Sequence, residues 1–185
     1  MKIVIDGNIG SSKSTQLNLL EKAGFAVKRE PIEDWPLELY YSDPERWGLA
    51  FQLRVLQSHS ELIPDVPLCI YERFPSSGAS VFWPLMKKTK EEDAVFQHIH
   101  NLQKWTPDVY IYLDVPPKLC FKRIQDRNQD GDSSVTLEYL ETLDKQYEKM
   151  FNELENCKKY IIDADDSVDA VHDQIIKIIQ YHHEL

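Results

Sequence analysis

The chain has 185 residues, of which 42% are hydrophobic and 28% are charged, a composition typical of one soluble globular domain over residues 1–185. Its formal net charge of −10 at pH 7 argues against a nucleic-acid partner, because proteins that bind nucleic acids present a basic stripe. Three widely spaced cysteines, with no secretory signal and no apolar run of about 18 residues, favour a cytoplasmic location and no membrane partner.

Predicted strands alternate with predicted helices along the chain. The first strand, "KIVI", ends at Asp6-Gly7 and is followed by a loop and by a helix that ends at Gly24. Because such alternation is typical of parallel sheets, we expect an α/β fold with a five-stranded parallel sheet flanked by helices. The other strands are predicted in "FAVKRE", "PLCIYER", "DVYIYLDV" and "KYIIDAD", and the other helices over 47–62, 79–86, 91–104, 118–127, 136–155 and 168–183.

The segment "IDGNIGSSKST", residues 5–15, nearly matches a phosphate-binding loop, in which two glycines precede Lys and Ser or Thr. Lys13 and Ser14 keep their places, and a strand–loop–helix directs backbone N–H groups at phosphate oxygens. An ordinary turn is the alternative, but the position after the first strand favours a nucleotide site. Ser12 replaces the second glycine. If that position needs a positive φ, the serine adds on the order of 1–3 kcal/mol of strain and weakens nucleotide binding without abolishing it.

Charged residues follow other predicted strands, at the edge where ligands of parallel sheets bind. Glu30 is either a general base or a surface glutamate, and Glu72-Arg73 is either a structural ion pair or part of a site that binds Mg²⁺ and phosphate. Arg123 and Arg127, one helical turn apart, belong either to a lid over phosphates or to a solvated helix end.

These motifs, in this order, resemble the deoxynucleoside kinase family of P-loop phosphotransferases over nearly the whole chain. The resemblance is carried by "GNIGSSKST", "EPIEDW", "DPERWGLAFQ", "YERF", "PDVYIYLDVPPKLCFKRIQDR" and "LEYLETLDKQYEKMF". It implies a three-layer P-loop kinase fold with a lid over about residues 123–133 and a homodimer formed through the helices near residues 47–62 and 79–86. It also implies transfer of phosphate from ATP, with Mg²⁺, to the 5′-hydroxyl of a deoxynucleoside in nucleotide salvage.

The resemblance also implies a role for each matching residue. Glu30 is the base that accepts the proton of the 5′-hydroxyl, Arg73 lies beside that hydroxyl, and Lys13 contacts the phosphates. Ser14 and Glu72 hold Mg²⁺. The nucleotide site comprises Gly7, Asn8, Ile9, Gly10, Ser11, Ser12, Lys13, Ser14 and Thr15 with the lid residues Arg123 and Arg127. The deoxynucleoside site comprises Glu30 and Arg73 with Trp35, Phe51, Gln52, Val55, Gly78 and Phe82 around the base, and with Tyr41 and Asp132 on the 3′-hydroxyl.

The identity of the base depends on three positions. Gln52 offers an amide that matches the N3 edge of a pyrimidine, so we expect thymidine or deoxycytidine. In relatives that prefer deoxycytidine, the places of His59 and Gly78 hold an arginine and an aspartate, and Gly78 leaves room for the thymine methyl group. His59 either borders the 5-position of the ring or faces solvent.

Two other functions remain open from the sequence alone. The stretch "RFPSSGAS" is similar to thymidylate kinases, which phosphorylate a nucleotide. Glu30 and Gln52 favour a deoxynucleoside instead, because an acceptor phosphate would require an arginine where Glu30 stands. A nucleotide-binding module without catalysis is the third possibility, and Ser12 is the feature that supports it.

Overall fold

A parallel sheet of five strands organises the chain, as the sequence predicts. The computed structural model describes residues 1–127 and 134–183. The strand order is β2-β3-β1-β4-β5, and each neighbouring pair is parallel. The strands are β1 Lys2–Gly7, β2 Ala26–Lys28, β3 Cys69–Glu72, β4 Val109–Asp114 and β5 Lys158–Asp163.

The central strands are apolar on both faces because helices cover both faces of the sheet. Ile3, Val4 and Ile5 of β1 are fully buried, as is Ile111 of the neighbouring strand β4. In the register of the sheet Ile5 pairs with Glu72. Residues that follow β1 and β3 therefore leave the sheet at the same edge.

Six of the seven predicted helices are present, although several of their ends differ. The α-helices among the described residues are α1 Lys13–Lys22, α2 Leu37–Ser42, α3 Pro44–Ser60, α4 Pro75–Ser77, α5 Lys90–Gln103, α6 Pro117–Arg127, α7 Leu137–Glu153 and α8 Val168–His183. None of them is long and apolar enough to cross a membrane.

The helices and turns differ from the sequence prediction in three local places. Helix α3 begins at Pro44, three residues early, because the Asp43 side chain accepts a hydrogen bond from the Arg46 amide and proline fits the first helical position. The helix predicted over 79–86 is part of a longer irregular segment in which α4 leads into a π turn, Gly78–Phe82, and a 3₁₀ turn, Trp83–Leu85. The sequence pattern also missed α2 and the 3₁₀ turn Ile32–Asp34.

Strand β2 is shorter than predicted, and this matters for the site. It ends at Lys28, so Glu30 lies two residues beyond the strand rather than at its end. The Glu30 amide donates to a carboxylate oxygen of Glu72 at 3.4 Å instead of continuing the ladder. The position of Glu30 is thus not set by the strand ladder.

Candidate active site

The predicted phosphate loop joins β1 to α1, and two of its residues near the helix have a left-handed backbone conformation. Gly10 has φ 82°, and a Cβ there would lie 2.8 Å from the Cys120 carbonyl oxygen, so only glycine fits. Ser12 has φ 69° and makes no capping hydrogen bond with its side chain. The position of the missing glycine therefore does need a positive φ, and the serine is strained there.

Hydrogen bonds hold this loop to itself and to α7. The Asn8 side chain donates to the Leu140 carbonyl at 2.9 Å and accepts from the Ile9 amide at 2.8 Å. Gly7, Asn8 and Ser11 are buried, Ile9, Gly10 and Ser12 are partly buried, and Ser14 and Thr15 are exposed on the first turn of α1.

Lys13 lies inside the loop. Its Nζ donates to the carbonyl oxygens of Gly7 at 2.9 Å and Asn8 at 2.8 Å. Burial and the neighbouring charge of Arg73 lower the pKa of Lys13 to about 8. The ammonium group still carries its charge at neutral pH, in a place from which it can attract phosphate.

Arg73 follows β3 and is the centre of a buried polar cluster, which comprises Arg73 with Glu30, Asp6, Ser77 and Tyr147. The residue has φ 60°, an uncommon conformation for a side chain with a Cβ that is often found at functional sites. Its guanidinium forms an ion pair with Glu30 and donates through Nε to the Tyr147 hydroxyl at 3.1 Å. Asp6 lies 3.5 Å from Nε. The cluster fixes the arginine from three directions.

The Glu30 carboxylate is ionised although its side chain is only 5% exposed. Burial raises the pKa of Glu30, but Arg73 and a hydrogen bond from His59 outweigh burial and hold the pKa at about 2. The pKa of Glu72 is raised by burial and by the charge of Glu30. Two adjacent carboxyl groups therefore have different proton affinities.

Two of the aromatic residues predicted around the base, Trp35 and Phe51, pack against each other. Trp35 packs edge-on against Phe51, with ring centroids 6.1 Å apart, and its indole N–H donates to the Ser58 hydroxyl at 3.2 Å. Tyr40 stacks on Phe51 at 4.5 Å, whereas Tyr41 is 53% exposed. The structure thus brings Tyr40, which the sequence did not single out, against the aromatic group.

Other residues predicted around the base lie on α3 and the π turn. Gln52 and Val55 are buried, and the amide oxygen of Gln52 is buried without a hydrogen-bond partner among the described residues. A Cβ on Gly78 would lie 3.7 Å from that oxygen. Phe82, further along the π turn, packs against Arg73, whose guanidinium carbon is 5.1 Å from the ring centre.

His59 does not face solvent, so that alternative is wrong. The residue is 6% exposed, and its Nε2 lies 3.0 Å from a carboxylate oxygen of Glu30. The His59 ring also packs edge-on against Trp35, with centroids 6.0 Å apart.

The predicted lid residues are only partly described. Arg123 lies on α6 and donates to the Ala164 carbonyl at 3.2 Å, and Arg127 is the last residue of the same helix. Asp132 lies outside the described residues.

Sequence reasoning missed three members of the polar cluster. Asp6 ends the apolar run of β1, and Ser77 donates to it from α4. Tyr147 lies 74 residues from its partner Arg73, on α7, where no site residue was predicted from the sequence. The one signal in the sequence was Asp6, a polar residue at the carboxyl end of β1, where ligands of parallel sheets bind.

Comparisons with known proteins agree with this geometry. The family model described as deoxynucleoside kinase matches residues 3–185. A thymidine kinase from Ictalurid herpesvirus 1 (strain Auburn) is 30% identical, over 97% of this chain and 86% of its own length. A probable deoxycytidine kinase from Fowlpox virus (strain NVSL) is 31% identical, over 82% of this chain and 72% of its own length.

Solved structures give the same result. A deoxyadenosine kinase from M. mycoides, with dCMP and dCDP bound, superimposes with a TM-score of 0.85 at 25% identity, over 98% of this chain and 99% of that one. The family match over almost the whole chain argues against the thymidylate kinase alternative. The chain belongs to the deoxynucleoside kinase family, whose members are phosphotransferases that use a nucleoside triphosphate donor.

Proposed function

We propose that this deoxynucleoside kinase transfers the terminal phosphoryl group of ATP to the 5′-hydroxyl of a pyrimidine deoxynucleoside, with Glu30 as the general base, and serves nucleotide salvage. The observation that carries the proposal is the buried Glu30–Arg73 pair beside the phosphate loop. The Arg73 Nη2 also donates to the Gly7 carbonyl at 3.4 Å, so the pair and the loop adjoin. A hydroxyl bound between them would meet both a proton acceptor and the phosphate to be transferred.

Three charged groups have a part in the proposed reaction. The ionised Glu30 accepts the proton of the 5′-hydroxyl as the oxygen attacks phosphorus. Arg73 holds that carboxylate and offers donors to the phosphoryl oxygens. Lys13 neutralises the developing negative charge. Phosphoryl transfer depends mainly on positioning and on such charge neutralisation.

Glu72 and Ser14 are suited to hold Mg²⁺. Mg²⁺ is usually bound by one or two protein oxygens together with substrate phosphates, so it does not require a cluster of three or more His, Cys, Asp and Glu side chains, and residues 1–127 and 134–183 contain no such cluster. The Glu72 carboxyl adjoins Glu30, and a cation beside it would relieve the repulsion that raises its pKa. When bound, Mg²⁺ would neutralise phosphate charge.

The preference for pyrimidines rests on Gln52. Its buried amide oxygen has no partner among the described residues, and a buried acceptor of this kind requires a hydrogen bond. The N3–H of thymine or the N4 amine of cytosine can supply that bond. Gly78 leaves space next to this oxygen, which supports acceptance of the thymine methyl group.

One assay tests the proposal. The purified protein is incubated with ATP, Mg²⁺ and each of the four deoxynucleosides or dTMP, and kcat/KM is measured for each acceptor. We expect kcat/KM for thymidine to be at least equal to that for deoxycytidine. The purine deoxynucleosides should have kcat/KM values about tenfold lower, a difference of about 1.4 kcal/mol in transition-state binding. A purine that outranks both pyrimidines would overturn the preference. Phosphorylation of dTMP and of none of the deoxynucleosides would contradict the proposed transfer to a 5′-hydroxyl.

We also propose a homodimer. Val95 and Leu102 lie seven residues apart on α5, which packs against α3, and are 47% and 71% exposed. Two turns of spacing put them on the same face of the helix. This outer face offers apolar surface for a second copy, in addition to the segments near residues 47–62 and 79–86.

A further inference from the structure

His59 holds the carboxylate of the proposed base. The distance from His59 Nε2 to the Glu30 Oε1 is 3.0 Å. The carboxylate is ionised and can only accept, so Nε2 carries the proton and donates it. The other ring nitrogen, Nδ1, is buried and has no hydrogen-bond partner among residues 1–127 and 134–183, so nothing there competes for the ring.

Each oxygen of Glu30 has its own donor. Oε1 accepts from His59, and Oε2 accepts from Arg73. Glu30 lies beyond the end of β2, where no strand ladder fixes the backbone. Two donors from two different elements are therefore what fix the plane and the direction of this carboxylate.

The imidazole is itself held in place. Trp35 packs edge-on against the ring, and the backbone carbonyl of His59 accepts from the indole N–H of Trp105 at 2.9 Å. Trp35 is tied in turn to Ser58, the preceding residue of α3. The last turn of α3 thus presents the imidazole N–H to Glu30 in one orientation.

We propose that His59 is a positioning residue for phosphoryl transfer, which orients Glu30 toward the 5′-hydroxyl and acts on every accepted deoxynucleoside alike. The inference rests on Glu30 as the base in the function proposed above. It differs from the role that the sequence resemblance implied for this place, which is a contact near the 5-position of the nucleobase. A contact of that kind would alter the choice between thymidine and deoxycytidine instead.

The direction of the electrostatic effect separates orientation from basicity. A hydrogen bond to the ionised carboxylate lowers its proton affinity, so removal of the His59 donor would make Glu30 a stronger base. If basicity limited the reaction, loss of the donor would not slow it. A fall in kcat after loss of the donor therefore reports misplacement of the carboxylate.

Three substitutions at position 59 test the inference. His59→Met removes the donor and keeps an unbranched side chain of similar size. His59→Gln keeps an N–H donor at a similar reach, and His59→Asn keeps the amide one bond too short. Ser60→Ala is the matched control, because Ser60 is the next residue on α3 and its hydroxyl donates to the Leu56 carbonyl, away from the site. The kcat and KM are measured with thymidine and with deoxycytidine, after unfolding midpoints establish that each variant is folded.

We expect kcat to fall about 10- to 100-fold in His59→Met and His59→Asn, the scale of a small misplacement of a catalytic group, with both substrates affected equally and KM within about threefold. His59→Gln and Ser60→Ala should stay within about threefold of the wild type. Should His59→Met fail to fold, the comparison of His59→Asn with His59→Gln still decides the matter.

The inference is overturned if both His59→Met and His59→Asn keep wild-type kcat, if His59→Gln loses as much as His59→Asn, or if the loss is confined to one substrate. In a Glu30→Gln background, His59→Asn should have little further effect, since both act through one carboxylate. If Glu30→Gln alone keeps near-normal kcat, the proposed base fails, which is a different result from a normal His59→Asn.

Discussion

Replacing Ser12 by glycine should stabilise the protein. Ser12 has φ 69°, and a residue with a Cβ in the left-handed region costs about 1–2 kcal/mol. Its side chain makes no capping hydrogen bond, so the substitution removes strain without removing a bond. Glycine also makes the unfolded chain more flexible, which costs about 0.4–1 kcal/mol. The free energy of unfolding should therefore rise by about 1 kcal/mol or slightly less.

A rise of this size moves the unfolding midpoint by about 2–4 °C in a chain of this length. Thermal unfolding followed by calorimetry measures the shift, and Ser12→Ala is the control because alanine keeps the Cβ and hence the strain. A Ser12→Gly midpoint that is equal to or below that of Ser12→Ala would refute the reasoning.

The same variant tests how the strain affects ATP. The Ser12 carbonyl accepts from the Gln16 amide at 3.1 Å, so the start of α1 fixes this conformation as part of the fold. Strain that is present before and after binding cancels from the binding free energy, so the structure argues against the weaker nucleotide binding that the sequence led us to expect from Ser12. We therefore expect the Kd for ATP of Ser12→Gly to stay within about threefold of the wild type, which is less than about 0.7 kcal/mol. A change of about tenfold or more would show that the loop rearranges on binding.

Three further predictions address other parts of the site. Gly78→Asp should lower kcat/KM for thymidine more than for deoxycytidine, because its carboxylate would lie beside the amide oxygen of Gln52, whereas Gly78→Ala makes an ordinary contact at 3.7 Å and should change the ratio little; equal losses with both substrates would contradict this. Lys13→Ala should nearly abolish turnover, measured at saturating thymidine, because its charge adjoins the phosphate loop; retention of more than about a tenth of kcat would remove Lys13 from phosphoryl transfer. Sedimentation at micromolar concentration should give a dimer that Leu102→Glu dissociates, because Leu102 is 71% exposed on α5; a monomeric wild type would refute the dimer.

The fold could be read from the sequence because its signals are local. The apolar run of β1 and the run of β4 fix the central strands, and the alternation with helices fixes the parallel sheet. Such strands are buried on both faces, so each of them is a continuous apolar run that can be recognised without knowing which residues pack against it. The phosphate loop is equally local, since its strand, loop and helix are contiguous.

The surroundings of Glu30 could not be read in this way. Arg73, 43 residues away, and His59, 29 residues away, reach the same carboxylate from different elements. Their meeting depends on where β2 ends and on how α3 crosses the site, which no sequence period encodes. The π turn at Gly78 was also missed, because a single extra residue in a helical turn leaves no clear pattern.

The most direct test of the account is the chemical step in Glu30→Gln. The variant keeps the size of the side chain and one accepting oxygen, so it loses one of the two hydrogen bonds that Glu30 accepts from His59 and Arg73, and it cannot accept the proton of the 5′-hydroxyl. Single-turnover transfer from ATP to thymidine should slow by about two to four orders of magnitude, the contribution of a positioned base, while thymidine still binds with a Kd close to that of the wild type. A variant that transfers phosphate at a near-normal rate would contradict the assignment of Glu30 as the base.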